Sequence, residues 1–352
     1  MLILNDEHLG VKRQSGTTPE SRKSLEGFQF EQFEYITHAE EDVCILGDLF
    51  DKSKVSFDVV WRTYKILARF LAATEHTIYL VRGNHDASNI SGEMCSLDFL
   101  AELLAEFYSD QLVYITEPYN LTPEIKIIPH LQNQDIFDLA IEKSDEEGCH
   151  TLLVHCNYDN FFATEQDHSL NMSKEQVEKF CTVIFGHEHT PRQIDLKETI
   201  VWILGCQTPT SIADCKNAEE LTATVYDLET GELERVVVNT VSDIYTEIDW
   251  HNLDQEQHGM FVRVNGEATA EEAGKATQAV SKFRKDYDAF IVTNAIEIEG
   301  MTCECDIEEA TEEISNLNIT EMLFDNLKDW QVTSIKKIQN DEKVDLVEES
   351  HA

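Results

Sequence analysis

The sequence predicts an α/β fold, and three observations carry that expectation. Residues 1–155 alternate short apolar runs with segments of helical periodicity, the pattern of a layered α/β domain. Five apolar runs are of strand length, and each stops on residue types that bind metals. After His189 the pattern changes to closely spaced strands, as expected where a sheet is being closed.

Taken in order, Met1 to Leu4 is the first expected strand and runs into Asp6 and His8. A helix is expected over Phe28 to His38, where Phe30, Phe33, Tyr35 and Ile36 have helical spacing. Val43 to Leu46 is the second strand, leading to Gly47, Asp48 and Asp51, and Val59 to Leu71 is an amphipathic helix. Thr77 to Val81 leads to Gly83, Asn84, His85 and Asp86. Leu97 to Phe107 reads as a helix, Ile125 to Ile128 as a strand stopped by Pro129, and Ile136 to Ile141 as part of another helix. Leu152 to Val154 ends on His155, and Val183 to Phe185 on Gly186, His187 and His189. Ile200 to Leu204, Leu221 to Tyr226 and Leu233 to Val238, with a turn at 229–232, read as a meander or hairpin.

A second unit is expected from about Ser242, with a strand at Met260 to Val264, a helix at Ala268 to Tyr287 and a strand at Ala289 to Ile298, one βαβ module. From Ile307 the chain is acidic and reads as helical. Asn318 or Thr320 can cap a last helix whose stripe is Ile319, Met322, Leu323 and Leu327. The expected division is 1–242, 243–305 and 306–352, with a frayed end after 341.

A chain of 352 residues with 42% hydrophobic content can bury a sizeable core. No apolar stretch reaches the roughly 20 residues that span a bilayer, and the first motif begins at Asp6, which leaves no room for a signal peptide. The expectation is a cytoplasmic protein without a membrane contact. Nine cysteines without a Cys-x-x-Cys pair make neither a zinc nor a disulfide framework; Cys156 beside His155 reads as a small buried filler.

The net charge of -41 opposes unaided binding to a polyanion. The acidity is unevenly placed, because residues 1–100 carry 16 acids and 10 bases, a net of -6 that leaves -35 for the remainder. Lys12, Arg13, Lys52, Lys54, Arg82 and Arg192 stand beside the motifs and can make a locally neutral mouth.

Carboxylates, imidazoles and an amide at the ends of five buried strands suit a binuclear metal site. Two divalent ions about 3.5–4 Å apart clamp a phosphate ester and activate water. Asp48 is the candidate shared ligand, since it follows a strand and a glycine. Asp6, His8 and His189 would complete one metal, and Asn84, His155 and His187 the other; the donor mixture suits Mn²⁺. His85, next to a ligand, is the candidate group to contact the phosphate or protonate the leaving oxygen, with Asp86 or Asp51 orienting it. The remaining histidines fit no motif.

These motifs resemble the calcineurin-like metallophosphoesterase superfamily and, within it, the SbcD-type DNA repair exonucleases. Asp6-Glu7-His8-Leu9-Gly10, Gly47-Asp48-Leu49-Phe50-Asp51 and Gly83-Asn84-His85-Asp86 match the first three family motifs, and His155 and Gly186-His187-Glu188-His189 the last two. Asp51 is followed by Lys52 and Ser53, unlike the Asp-Arg-Gly typical of protein Ser/Thr phosphatases in the superfamily. Many relatives have glycine where Cys156 stands.

The resemblance implies a two-sheet sandwich flanked by helices, then a small capping domain over 243–305 that helps position DNA. It also implies a homodimer that binds an SMC-type ATPase, SbcC, through helices after the cap, here the stripe around Met322 to Leu327. The length is that of compact versions in large bacteriophages. The expected activity is a DNA exonuclease, also able to cut single strands internally, that uses two Mn²⁺ ions. A small-nucleotide phosphodiesterase or phosphatase, and a scaffold without catalysis, are the alternatives.

Overall fold

The computed structural model describes residues 1–12, 17–88, 90, 92–160, 169–216, 220–253 and 260–299. The chain divides into two compact units, Met1–Ile298 and Glu299–Ala352. The expected stripe at Ile319 to Leu327 and the cation Arg13 lie outside the described residues.

The first unit is built from two six-stranded sheets. β1 (Leu2–Leu4), β2 (Val43–Leu46), β3 (Ile78–Val81) and β4 (Leu112–Ile115) run parallel, joined through helices Pro19–Phe33, Phe57–Ala73 and Ser96–Tyr108. The chain then lays down β5 (Tyr119–Asn120), β6 (Ile125–Ile128) and β7 (Thr151–His155), a small pair of β8 (Asn157–Tyr158) with β9 (Asn171–Met172), and β10 (Thr182–Gly186), β11 (Arg192–Asp195) and β12 (Ile200–Ile203). The second sheet has the order β11-β12-β10-β7-β6-β5. The hairpin of β13 (Glu220–Tyr226) and β14 (Leu233–Thr240) returns to the first sheet and pairs antiparallel with β1.

Side chains alternate across each strand, so one strand feeds two cores. Leu2, Leu4, Val43 and Ile45 face the outer helices, packing with Leu67, Phe70 and Leu100. Ile3, Cys44 and Leu46 face inward and meet Ile127, Leu153 and Ile184 of the other sheet. Leu152, Val154 and Phe185 cover the far side against Phe137 and Ile141 of the helix Gln134–Glu146. Helix, sheet, sheet, helix is therefore the layering, and the five strand ends that carry the motif residues, three in the first sheet and two in the second, open on one edge.

Four elements differ from expectation. One is the strand expected at Ala289 to Ile298, which is broken into Ile291–Asn294 and Glu297–Ile298 in separate sheets. The first helix begins at Pro19 instead of Phe28, because Thr18 and Ser21 form a capping box with proline at the first helical position. Its first half is too polar for periodicity to reveal it. Ile200–Ile203 does not join the β13–β14 hairpin; it pairs in parallel with β10 in the second sheet. The helix expected from Ala268 starts at Ala273, since Thr269 and Glu272 exchange hydrogen bonds that turn the chain first.

Within 243–299, β15 (Tyr245–Asp249), β16 (Phe261–Asn265) and β18 (Ile291–Asn294) form a parallel three-stranded sheet, and β17 (Glu267–Ala268) pairs with β19 (Glu297–Ile298). Helix Ala273–Asp286 covers one face through Ala276, Val280 and Phe283. Phe261 and Ile291 pack on Val11, Leu25 and Cys215. Among the described residues no helix is long and apolar enough to cross a membrane.

Candidate metal centre

Each motif residue leaves its strand at the carboxyl end, where parallel strands splay and backbone groups are free to turn. The turns are tight. Among the described residues five non-glycine residues have positive φ, and four belong to the motifs: Asp6 (55°), His8 (44°), Asp48 (51°) and His187 (85°). Left-handed backbone costs an L-residue about 1–2 kcal/mol, so this strain is concentrated at one place and is held by its surroundings. The first two loops brace each other, His8 N donating to Asp48 O at 3.0 Å and Leu9 N to Leu49 O at 2.9 Å. Gln29 Nε2 supports the first loop by donating to His8 O at 3.1 Å.

Two glycines make the convergence possible. A Cβ on Gly47 would lie 2.2 Å from His155 Nδ1, and one on Gly83 would lie 2.1 Å from Asp48 Oδ1. Larger residues there would push an imidazole and a carboxylate out of the site.

The structure brings all seven expected metal-ligating residues to one small region. Asp6, His8 and His189 offer donor atoms within 4.8 Å of one another, as do Asp48, His155 and His187. His155 Nε2 lies 3.0 Å from Asn84 Oδ1 and 3.2 Å from Asp48 Oδ2. His8 Nε2 is 4.0 Å from the same Asp48 oxygen, which places that carboxylate between the two groups.

The arrangement fits cations. His155 Nδ1 donates to Leu46 O at 2.9 Å, and His189 Nδ1 faces Asp214 Oδ1 at 3.0 Å, so each presents the lone pair of Nε2 to the centre. His8 Nε2 and His189 Nε2 are 3.1 Å apart. Among the described residues Asp6 Oδ1 is buried without a hydrogen-bond partner. Carboxylate, amide and imidazole donor atoms gathered this closely suit divalent cations. Burial would lower the His155 pKa, but the Asp48 carboxylate outweighs burial and pushes it up to about 9. Burial would raise Asp48, and the surrounding imidazoles hold it well below the usual carboxylate range.

His85 stands beside these groups, its ring 4.8 Å from that of His8, centroid to centroid. Its backbone N donates to Asp48 Oδ1 at 2.9 Å. Its Nδ1 lies 2.6 Å from the backbone carbonyl of Asp51, which fixes the ring and leaves Nε2 for a ligand. The oriented contact thus comes from the Asp51 main chain, while the Asp51 side chain lines the cavity. Asp86 holds loops: its carboxylate accepts from Phe50 N at 3.0 Å, Gly83 N at 3.1 Å and Leu49 N at 3.3 Å. Burial and the Asp48 charge push its pKa up to about 7.

The centre forms the floor of a cavity of about 530 Å³ that His85, Lys12 and Lys52 also line. Of the other cations flagged by the sequence, Arg192 pairs with Glu188 at 2.5 Å and Lys54 pairs with Glu93. Glu188 also accepts from Tyr158 N at 2.7 Å, so it belongs to loop support.

Two supporting residues escaped the sequence reading. Asp214 orients His189 and accepts from Thr210 N, Thr210 Oγ1, Ser211 N and Ser211 Oγ through its other oxygen. The spacing Thr210-Ser211 to Asp214 is a turn signal, but nothing local connects it with His189. Glu7 is fully buried, accepts from Thr208 Oγ1 at 3.1 Å, and is pushed by burial up to about 8.

Residues 2–191 match the family model of calcineurin-like phosphoesterases. A search of curated proteins finds no match. Among solved structures the chain is similar to an archaeal phosphodiesterase, at 17% identity and TM-score 0.33 over 67% of this chain and 98% of that one. It is also similar to a phosphopantetheinyl hydrolase from Mycobacterium tuberculosis, at 13% identity and TM-score 0.34 over 67% and 94%. A dimetal phosphatase from Danio rerio matches at 12% identity and TM-score 0.38 over 68% and 96%.

Proposed function

The chain belongs to the calcineurin-like phosphoesterase family, and from that premise we propose a DNA exonuclease, also cutting single strands internally, that works with two Mn²⁺ ions beside an SMC-type ATPase. The observation that carries this reading is the convergence of Asp6, His8, Asp48, Asn84, His155, His187 and His189, with Asp48 between two donor groups, beneath a cavity edged by Lys12 and Lys52. Two divalent ions held there would polarise a phosphodiester and lower the pKa of a water molecule.

The protein's own groups do the rest. Lys12 and Lys52 attract the phosphate, and Asp51-Lys52-Ser53 departs from the protein phosphatase pattern. The fixed His85 ring turns Nε2 to the reacting phosphate. As water adds to phosphorus and the bond to the 3′ oxygen breaks, His85 stabilises the developing charge and gives a proton to the leaving oxygen. With a net charge of -41, affinity for DNA is supplied by the ATPase partner.

That same acidity favours a second reading, hydrolysis of small phosphodiesters without a partner. Turnover of linear duplex DNA and of bis(p-nitrophenyl) phosphate, each with Mn²⁺, decides between them. Degradation of DNA from its ends, stimulated by the ATPase, supports the nuclease; rapid cleavage of the small ester with inert DNA replaces it with the second reading.

A further inference from the structure

A second cavity, of about 490 Å³, is walled by Arg82, Ile90, Glu93, Asp98, His130 and Gln132. Two loops border both cavities. His85 lines the first and Ala87 the second, a separation of at most about 7 Å along the chain. Asp51 and Lys52 line the first, while Lys54 of the same loop is tied to Glu93 of the second.

The polar groups of this cavity are poised for an anion. Arg82 uses Nη2 on two main-chain carbonyls, Thr116 O at 3.1 Å and His130 O at 3.5 Å. Among the described residues it forms no salt bridge, and its Nε is buried without a hydrogen-bond partner. His130 Nδ1 is likewise buried and unpartnered. The two carboxylates nearby are engaged: Glu93 by Lys54 and Ser88, and Asp98 by Tyr114 and Cys95 N. Asp98 on the same wall interacts electrostatically with Arg82, but among the described residues no carboxylate oxygen makes a salt bridge with the guanidinium, so its hydrogen-bonding edge is open to an anion. Ile90, 64% exposed, and Leu131 add apolar surface of the kind on which a base can lie.

We propose that this cavity is a nucleotide subsite, in which Arg82 binds the phosphate and Gln132 and Ile90 contact the base of the nucleotide next to the scissile bond. The assignment deepens the nuclease reading but is tested apart from it. The cavity is of a size that holds one nucleotide.

The test is calorimetric titration of the full chain with deoxyadenosine monophosphate, with and without EDTA. Saturable binding that survives EDTA is expected, weakened at least tenfold in Arg82→Met, several-fold in Gln132→Ala, and at least tenfold when deoxyadenosine replaces the nucleotide. Gln132 is exposed, so its variant reports on binding even if Arg82→Met unfolds. Loss of binding in EDTA, equal affinity in both variants, or no binding at millimolar nucleotide overturns the subsite. Nucleotide binding with this pattern but no DNA degradation with metal would retain the subsite and remove the nuclease reading.

Discussion

Asp214 Oδ1 lies 3.0 Å from His189 Nδ1, and its second oxygen is bound by four donors from Thr210 and Ser211. The carboxylate is therefore fixed before it fixes the imidazole, and His189 Nε2 is turned to the centre. Removing such a partner typically weakens metal binding about 10–100-fold. Asp214→Ala should lower Mn²⁺ affinity by that amount in a titration, and Asp214→Asn, which keeps an acceptor oxygen, should recover part of it. Equal affinity in all three proteins would deny Asp214 this role.

Gly47→Ala should be much worse than Gly148→Ala. Both glycines have positive φ, 86° and 77°, so both substitutions incur backbone strain of about 1–2 kcal/mol. Only at Gly47 does the new Cβ meet an imidazole, at 2.2 Å; at Gly148 nothing lies within 4 Å. Overpacking adds about 1–3 kcal/mol, visible as a lower urea midpoint and reduced metal content for Gly47→Ala alone.

Substitutions at Asp48 and His85 should separate binding from chemistry. Asp48→Ala removes the carboxylate between the two donor groups, so metal occupancy and activity should fall together. His85→Gln should retain its metal and lose about 10²–10⁴-fold in turnover. Elemental analysis of both variants checks the first half, and steady-state rates the second; near-normal turnover in His85→Gln would remove the proton-donor role.

His130 gives the fold an acid sensitivity. Burial pushes its pKa down to about 3, against about 6.5 in an unfolded chain. Above pH 6.5 both states are neutral and the ring adds nothing. Below it the unfolded chain takes up a proton that the folded chain refuses, so stability falls until about pH 3. Between pH 7 and pH 5 the loss is about 2 kcal/mol. Urea unfolding of His130→Gln should show a correspondingly smaller loss over that interval; parallel curves for both proteins would contradict the argument.

The parts visible in the sequence were those whose signal is local. Strand Val43–Leu46, the glycine after it and Asp48 are contiguous, so burial, turn and ligand could be read together. Sheet membership is a long-range property: Ile200–Ile203 looks like any strand, and only its register with Thr182–Phe185 assigns it to the second sheet. Helix Pro19–Phe33 was half hidden because its first turns are polar and its start is set by Thr18 and Pro19. Asp214 was invisible for the same reason as Ile200–Ile203, since its bond to His189 spans 25 positions without a motif.

The left-handed residues Asp6, His8, Asp48 and His187 sit on three separate loops that must hold their bends simultaneously. Cations that satisfy these side chains relieve like-with-like crowding in the folded chain and have no comparable seat in the unfolded one. Heat resistance should accordingly follow the free ion level, gaining about 1.4 kcal/mol per occupied site for each tenfold rise above the dissociation constant. Chelation would then be felt as a drop in melting temperature across the whole sandwich, making thermal denaturation a readout of loading that needs no substrate.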